Sequence, residues 1–144
     1  MSPRTGLPLI AKGTPQRSAR CDGPAPDGLR AGVDLFNRGE YWDCHETLED
    51  IWRAEPDPVR YLYQGILLAG VGLYHLRRGN RRGALSKLRA AHTILAPYAP
   101  LCMGVDVARL REDVVRILAH IDGLDPDAPV SLDAALAPAI IITG

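Results

Sequence analysis

Apolar residues recur at helical spacing in five stretches of the chain, with glycines and prolines between them. Asp27 offers an N-cap, and Leu29, Ala31, Val33, Leu35 and Phe36 populate a first helix that stops at Gly39. A second helix is expected from Glu40 or Tyr41 to Ala54. In it Tyr41, Cys44, Leu48 and Ile51 share one face, with Trp52 beside them. Glu55-Pro56-Asp57-Pro58 ends that helix, because neither proline can continue the hydrogen-bond ladder. A third helix, Val59 to about Arg78, is apolar nearly all round between Ile66 and Tyr74. Gly65, Gly70 and Gly72 would weaken it in isolation, so they are expected where helices approach closely. Gly79-Asn80 breaks the chain, and Asn80 is a cap for a fourth helix, Arg81 to Ala96, which Pro97 and Pro100 close. A fifth helix, about Asp106 to Asp122, carries the stripe Val107, Leu110, Val114, Ile117, Leu118 and Ile121.

The pattern therefore predicts an all-α fold of about five helices: two antiparallel helical hairpins, a closing helix and an extended tail. Phe36, Gly39, Cys44 and Leu48 recur as Leu76, Gly79, Ala84 and Leu88 at a constant offset. Each copy reads as helix, glycine-centred turn and second helix. This resembles the tetratricopeptide type of hairpin, although two copies are fewer than such arrays need. Residues 1–26, rich in Pro, Gly, Arg and Ser, read as an irregular leader lying on the surface, and residues 27–144 as a single helical domain. In the tail, the run Ile140 to Ile142 needs cover, and packing against the helices supplies it.

Composition narrows the function classes. Formal net charge is zero, so no bulk field draws the protein to nucleic acid or to an anionic membrane. The most apolar stretch, Tyr61 to Leu76, is interrupted by Gln64 and His75 and falls short of the ~20 residues a membrane span needs. Cys21, Cys44 and Cys102 are odd in number and form no CxxC or zinc pattern, so a reduced, cytoplasmic protein is expected. Charge is distributed unevenly. Acids crowd Glu40 to Asp57, while the charged residues from Arg77 to Arg89 are all basic. These are two solvated faces, or surfaces that meet within the chain or in a second copy of it, a homo-oligomer.

Candidate chemistry centres on His45-Glu46-x-x-Glu49, ending at Trp52. With Leu48 at the centre of the buried face, a step of about 100° per residue turns His45 and Trp52 inward, leaves Glu49 at the margin and sends Glu46 outward. His45 and Glu49, one turn apart, can meet. Such a pair can ligate a divalent metal, with His75 or Gln64 of the third helix as further ligands. It can instead do acid–base work, with His45, Glu46 and Glu49 as the catalytic set. Or it can simply hold two helices in register. His75 and Gln64 lie about 16 Å apart along their helix, so one site does not use both.

At Phe36-Asn37-x-Gly39-x-Tyr41-x-x-x-His45-Glu46-x-Leu48-Glu49-x-x-Trp52, followed by Arg60 and Gln64-Gly65, the chain resembles the domain-of-unknown-function-309 family of small microbial proteins. The resemblance spans roughly residues 28 to 122. It implies an all-helical fold of antiparallel hairpins and no particular activity. Tyr41, Trp52, Arg60 and Gln64 are the candidate binding residues on this motif, and His45, Glu49 and His75 the candidate metal ligands. The expected function is an interaction or ligand-binding module of helical hairpins, for a protein, a peptide or a small ligand. The alternative is a metal-dependent or acid–base enzyme, hydrolase-like, centred on His45, Glu46 and Glu49.

Overall fold

The structure, a computed structural model, describes residues 13–143. Five α-helices follow one another: α1 (Asp27–Asn37), α2 (Tyr41–Ala54), α3 (Arg60–Arg77), α4 (Arg81–Leu95) and α5 (Val107–Asp122). The all-α expectation of five helices is borne out, with ends within two residues of those read from the pattern. Asp27 is not a cap. It is the first helical residue, Pro26 holds the cap position, and the Pro26 carbonyl accepts from the Leu29 and Arg30 N–H groups. Asn80 does cap α4, its side chain accepting from the Gly83 N–H at 2.9 Å.

The two hairpins turn in the same way. Gly39 and Gly79 both adopt left-handed backbone, with φ of 76° and 78°. Their N–H groups donate to Phe36 and Leu76, and the next N–H groups, of Glu40 and Asn80, reach back to Leu35 and His75. That is the Schellman bond pair, repeated forty residues on, and only glycine takes the φ it needs without strain. The helices then close on glycine notches. A Cβ on Gly32 would run into Leu48, and one on Gly72 would stand 2.7 Å from Leu88 Cγ, so each second helix seats a leucine against a bare backbone. Gly65 serves the same end against Leu95, whereas a Cβ on Gly70 would only touch Cys44 and Phe36 at ordinary contact distance. The core runs through all five helices, with Leu29, Leu48, Leu62, Ile66, Leu73, Leu88, Leu110 and Ile117 fully buried.

Between α4 and α5 lies a small antiparallel hairpin, β1 (Leu101–Cys102) and β2 (Val105–Asp106), absent from the sequence-based expectation. Its turn places Met103 and Gly104 both at positive φ. The tail runs along it: Ile142 bridges to Val105, the Thr143 N–H donates to Gly104, and Ile140 is buried. Asn37 fixes the tail with both ends of its amide, donating to the Ile140 carbonyl and accepting from its N–H. The extended tail packed on the helices is as expected.

The leader and the cysteines add long-range contacts, and the second of these corrects an expectation. The described part of the leader is bound at several points: Tyr61 donates to the Gly13 carbonyl, Ser18 to Asp57, and Arg20 grips Glu55 with two bonds. Cys21 and Cys102 form a disulfide that ties the leader to β1, which overturns the reading of three unpaired thiols. Their separation of 81 residues hid the pairing, since spacing says nothing of a contact made by folding. Only Cys44 stays free, and burial pushes its thiol up to about 12. Residues 1–12 lie outside the described residues, as does Gly144.

Candidate functional site

Helix α3 turns Leu62, Ile66 and Leu73 into the core, and its opposite side carries Tyr61, Gln64, Leu68, Val71 and His75 at spacings of three and four. These five are half-buried, so a helix that reads as apolar all round in fact keeps one outward stripe. Helix α2 lines the margin of that stripe with Trp42, His45, Glu49 and Trp52. The margins touch where the Trp42 ring lies 5.5 Å from Tyr74. Trp42 is 51% exposed, an unusual placement for so large an apolar surface.

His45 Nε2 stands 3.6 Å from Glu49 Oε2, and Glu49 Oε1 takes Arg53 at 3.1 Å. The His45 ring leans on Trp42 at 4.9 Å, and its Nδ1 is buried without a hydrogen-bond partner. Glu46 is exposed on the outer side of α2. His75 is turned toward the start of α4, where its Nδ1 lies 3.4 Å from Asn80 Nδ2. Among the described residues no three His, Cys, Asp or Glu side chains gather as metal ligands would. His45 and Glu49 therefore meet, and neither Glu46 nor His75 completes a set around them.

The binding candidates divide. Tyr41 belongs to the core, edge-on to Phe36 at 5.6 Å and under Arg77 at 5.0 Å. Burial raises its phenol, against the opposing charge of Arg77. Arg60 is 2% exposed, its guanidinium stacked 4.0 Å over the Trp52 ring. Its Nε and Nη2 both donate to the Trp52 carbonyl, at 3.1 and 3.0 Å. In a continuing helix that carbonyl would accept from residue 56, but Pro56 has no N–H, so Arg60 closes the end of α2 instead. Arg60 Nη1 and Trp52 Nε1 are both buried and unpartnered. Gln64, one turn beyond Arg60, is half-buried, and its side-chain amide makes no hydrogen bond among the described residues.

Two hollows among the described residues lie elsewhere. One of about 650 Å³ is walled by the leader, Arg30, Leu101 and Met103. Another of about 350 Å³ sits between α4 and α5 at His92, Arg111 and Val115, where burial and then the charge of Arg111 lower the imidazole. The sequence reading missed Leu68, Val71 and Tyr74 as parts of the outward face. The three-and-four spacing from Tyr61 to His75 was the available signal.

Residues 29–86 match the family model described as Domain of unknown function (DUF309), so the resemblance drawn from the motif holds over α1, α2, α3 and the start of α4. "Uncharacterized protein YpuF" of Bacillus subtilis (strain 168) is 34% identical over 93 residues, covering 62% of this chain and 53% of that protein. An "Uncharacterized protein" of Aquifex aeolicus (strain VF5) is 21% identical over 91 residues, 62% of this chain and 27% of that one. The chain thus spans about half the length of the first relative and about a quarter of the second.

Proposed function

We propose that the helices matched by this family model form a binding module whose working surface is the outward α2–α3 face. The observation that carries the reading is the half-exposed stripe itself. Trp42, Trp52, Leu68, Val71 and Tyr74 present apolar and aromatic surface, and polar groups without partners, His45 Nδ1 and Trp52 Nε1, lie among them. A monomer gains nothing by leaving large aromatics in water or N–H groups without acceptors, whereas a bound molecule covers the first and satisfies the second. Acid–base chemistry at His45 and Glu49 has less support, because Glu49 also holds Arg53 and Glu46 points away.

A photo-crosslinking residue placed at Leu68 in the cell tests the reading, with the same group at Val115 on α5 as control. A discrete adduct at Leu68 that Trp42→Ala weakens supports it, whether the captured molecule is a small ligand, another protein or a second copy of the chain. Equal capture at both positions, or none at Leu68, removes it. As to location, no helix among the described residues is long and apolar enough to cross a membrane. The cytoplasmic reading rested on unpaired thiols, and the Cys21–Cys102 bond takes that support away.

A further inference from the structure

Several arginines here engage acceptors with both terminal nitrogens, whether exposed like Arg20 or half-buried like Arg81. Arg20 pairs with Glu55, and Arg81 gathers the carbonyls that end α5. Arg60 differs. It is 2% exposed, has no carboxylate partner among the described residues, and leaves Nη1 with no acceptor. Residues 1–12 contain no Asp or Glu that could supply one. A guanidinium taken out of water without a counter-charge is costly, and so is a buried indole N–H without an acceptor. Both costs fall on one stacked pair of side chains, Trp52 and Arg60.

We propose that the Trp52–Arg60 stack, with Gln64 at its rim, is the seat of a small oxyanion, the carboxylate or phosphate group of a ligand bound to the α2–α3 face. This rests on the reading of that face as a binding surface. The chemistry follows from what the groups can do. A guanidinium and an indole N–H only donate, so the ligand must bring acceptors. The charge of Arg60 is uncompensated, so the ligand is an anion. Carboxylate and phosphate each offer two oxygens on one edge, matching two donors held together. The unbonded amide of Gln64, one turn along α3, can supply a third. The half-buried Trp52 and Tyr61 flank the Arg60 guanidinium, and half-buried Gln64 follows one turn along α3, so entry is from that side. His45 Nδ1 lies two turns up α2 from Trp52, about 10 Å away, and stays outside a site of this size.

The chain has two tryptophans, one on the stack and one exposed, which makes the test internal. In the ¹⁵N-labelled full chain, acetate and inorganic phosphate are titrated separately against chloride at equal ionic strength, and both indole N–H resonances are followed. The expected result is a saturable shift of Trp52 with at least one oxyanion and none of Trp42. The anion that saturates first tells carboxylate from phosphate. Gln64→Leu, at a half-exposed position, should weaken that anion several-fold while leaving the spectrum of the core unchanged. Trp52→Phe keeps an aromatic ring and removes the donor, and should diminish the rise in Tm that the anion brings. A Trp52 signal indifferent to both anions, or moving in step with Trp42, overturns the site and leaves water as the missing acceptor. A silent Trp52 beside a positive crosslink at Leu68 would remove the oxyanion alone. Failure of both experiments would remove the binding face as well.

Discussion

Glu55 shows how much one side chain can hold together. It closes α2, accepts from Arg20 with both oxygens, takes the Tyr63 hydroxyl at 2.9 Å, and so joins leader, helix end and α3. Burial by itself would raise its carboxyl. The hydrogen bonds from Arg20 and Tyr63 outweigh that and hold it below its ordinary 4.5. A carboxylate depressed on folding stabilises the native state above the unfolded pKa and stops doing so as pH falls through the folded one. Stability should therefore drop on acidification below about pH 4.5, and Glu55→Gln should flatten that drop while lowering stability at neutral pH by about 1–3 kcal/mol. Urea midpoints measured across pH on both proteins check it. An unchanged acid slope would mean that Glu55 is not the group responsible. The motif singled out residues of this kind but could not assign their work. Arg60, read as a binding candidate, is also the group that caps Trp52, because whether an arginine caps or binds depends on which carbonyl folding brings to it.

At the scale of elements, the hairpins were the most legible part of the chain. Helical spacing, two prolines after α2 and a glycine in each turn are local signals, and a helix and its caps are made largely by local bonds. The offset of forty residues extends further than the sequence pattern first suggested, since Gly32 facing Leu48 and Gly72 facing Leu88 repeat it as packing. Each glycine is there because its neighbour needs the space. Gly72→Ala puts a methyl 2.7 Å from Leu88 Cγ, and the gain in helix propensity, about 1 kcal/mol, competes with overpacking of about 1–3 kcal/mol. A net loss of stability is expected, and Gly72→Ala combined with Leu88→Val should recover part of it by making room. Thermal or urea unfolding of the single and double variants decides. A stabilised single variant would show that α3 and α4 can part without cost. Less legible were β1 and β2, whose two residues apiece are too short to show any period.

The whole molecule is closed by contacts that join distant parts of the chain. The basic run Arg77 to Arg89 illustrates this. Arg77 donates to Gly39, Arg81 binds the end of α5, and Arg89 lies 3.6 Å from Asp122, so these three fasten elements of their own chain. Among the described residues no ion pair links these three to the acids of α2. The Cys21–Cys102 bond does the same work for the leader, and it closes a loop of 81 residues. Cross-links of that span stabilise mainly by restricting the unfolded chain, by about 2–5 kcal/mol. Cys21→Ser is therefore expected to lower the urea midpoint, and reductant should have no further effect on that variant. Intact-mass measurement with trapped thiols would show the bond directly. A wild-type chain carrying three free thiols and the same stability as Cys21→Ser would refute it.

Helix number, helix ends within two residues, the paired glycine turns and the apolar stripes were determined by the sequence alone. They depend on bonds and spacings a few residues long, and those are written along the chain. Only tertiary structure decided that Trp42 stands on the surface, that Cys21 meets Cys102, and that His75 turns to the start of α4 and not to the His45–Glu49 pair. It also decided that Arg60 is sealed over Trp52 with one arm unbonded. Each of these depends on which side of a helix a neighbouring element covers. That is fixed by packing between segments tens of residues apart, and no local spacing encodes it.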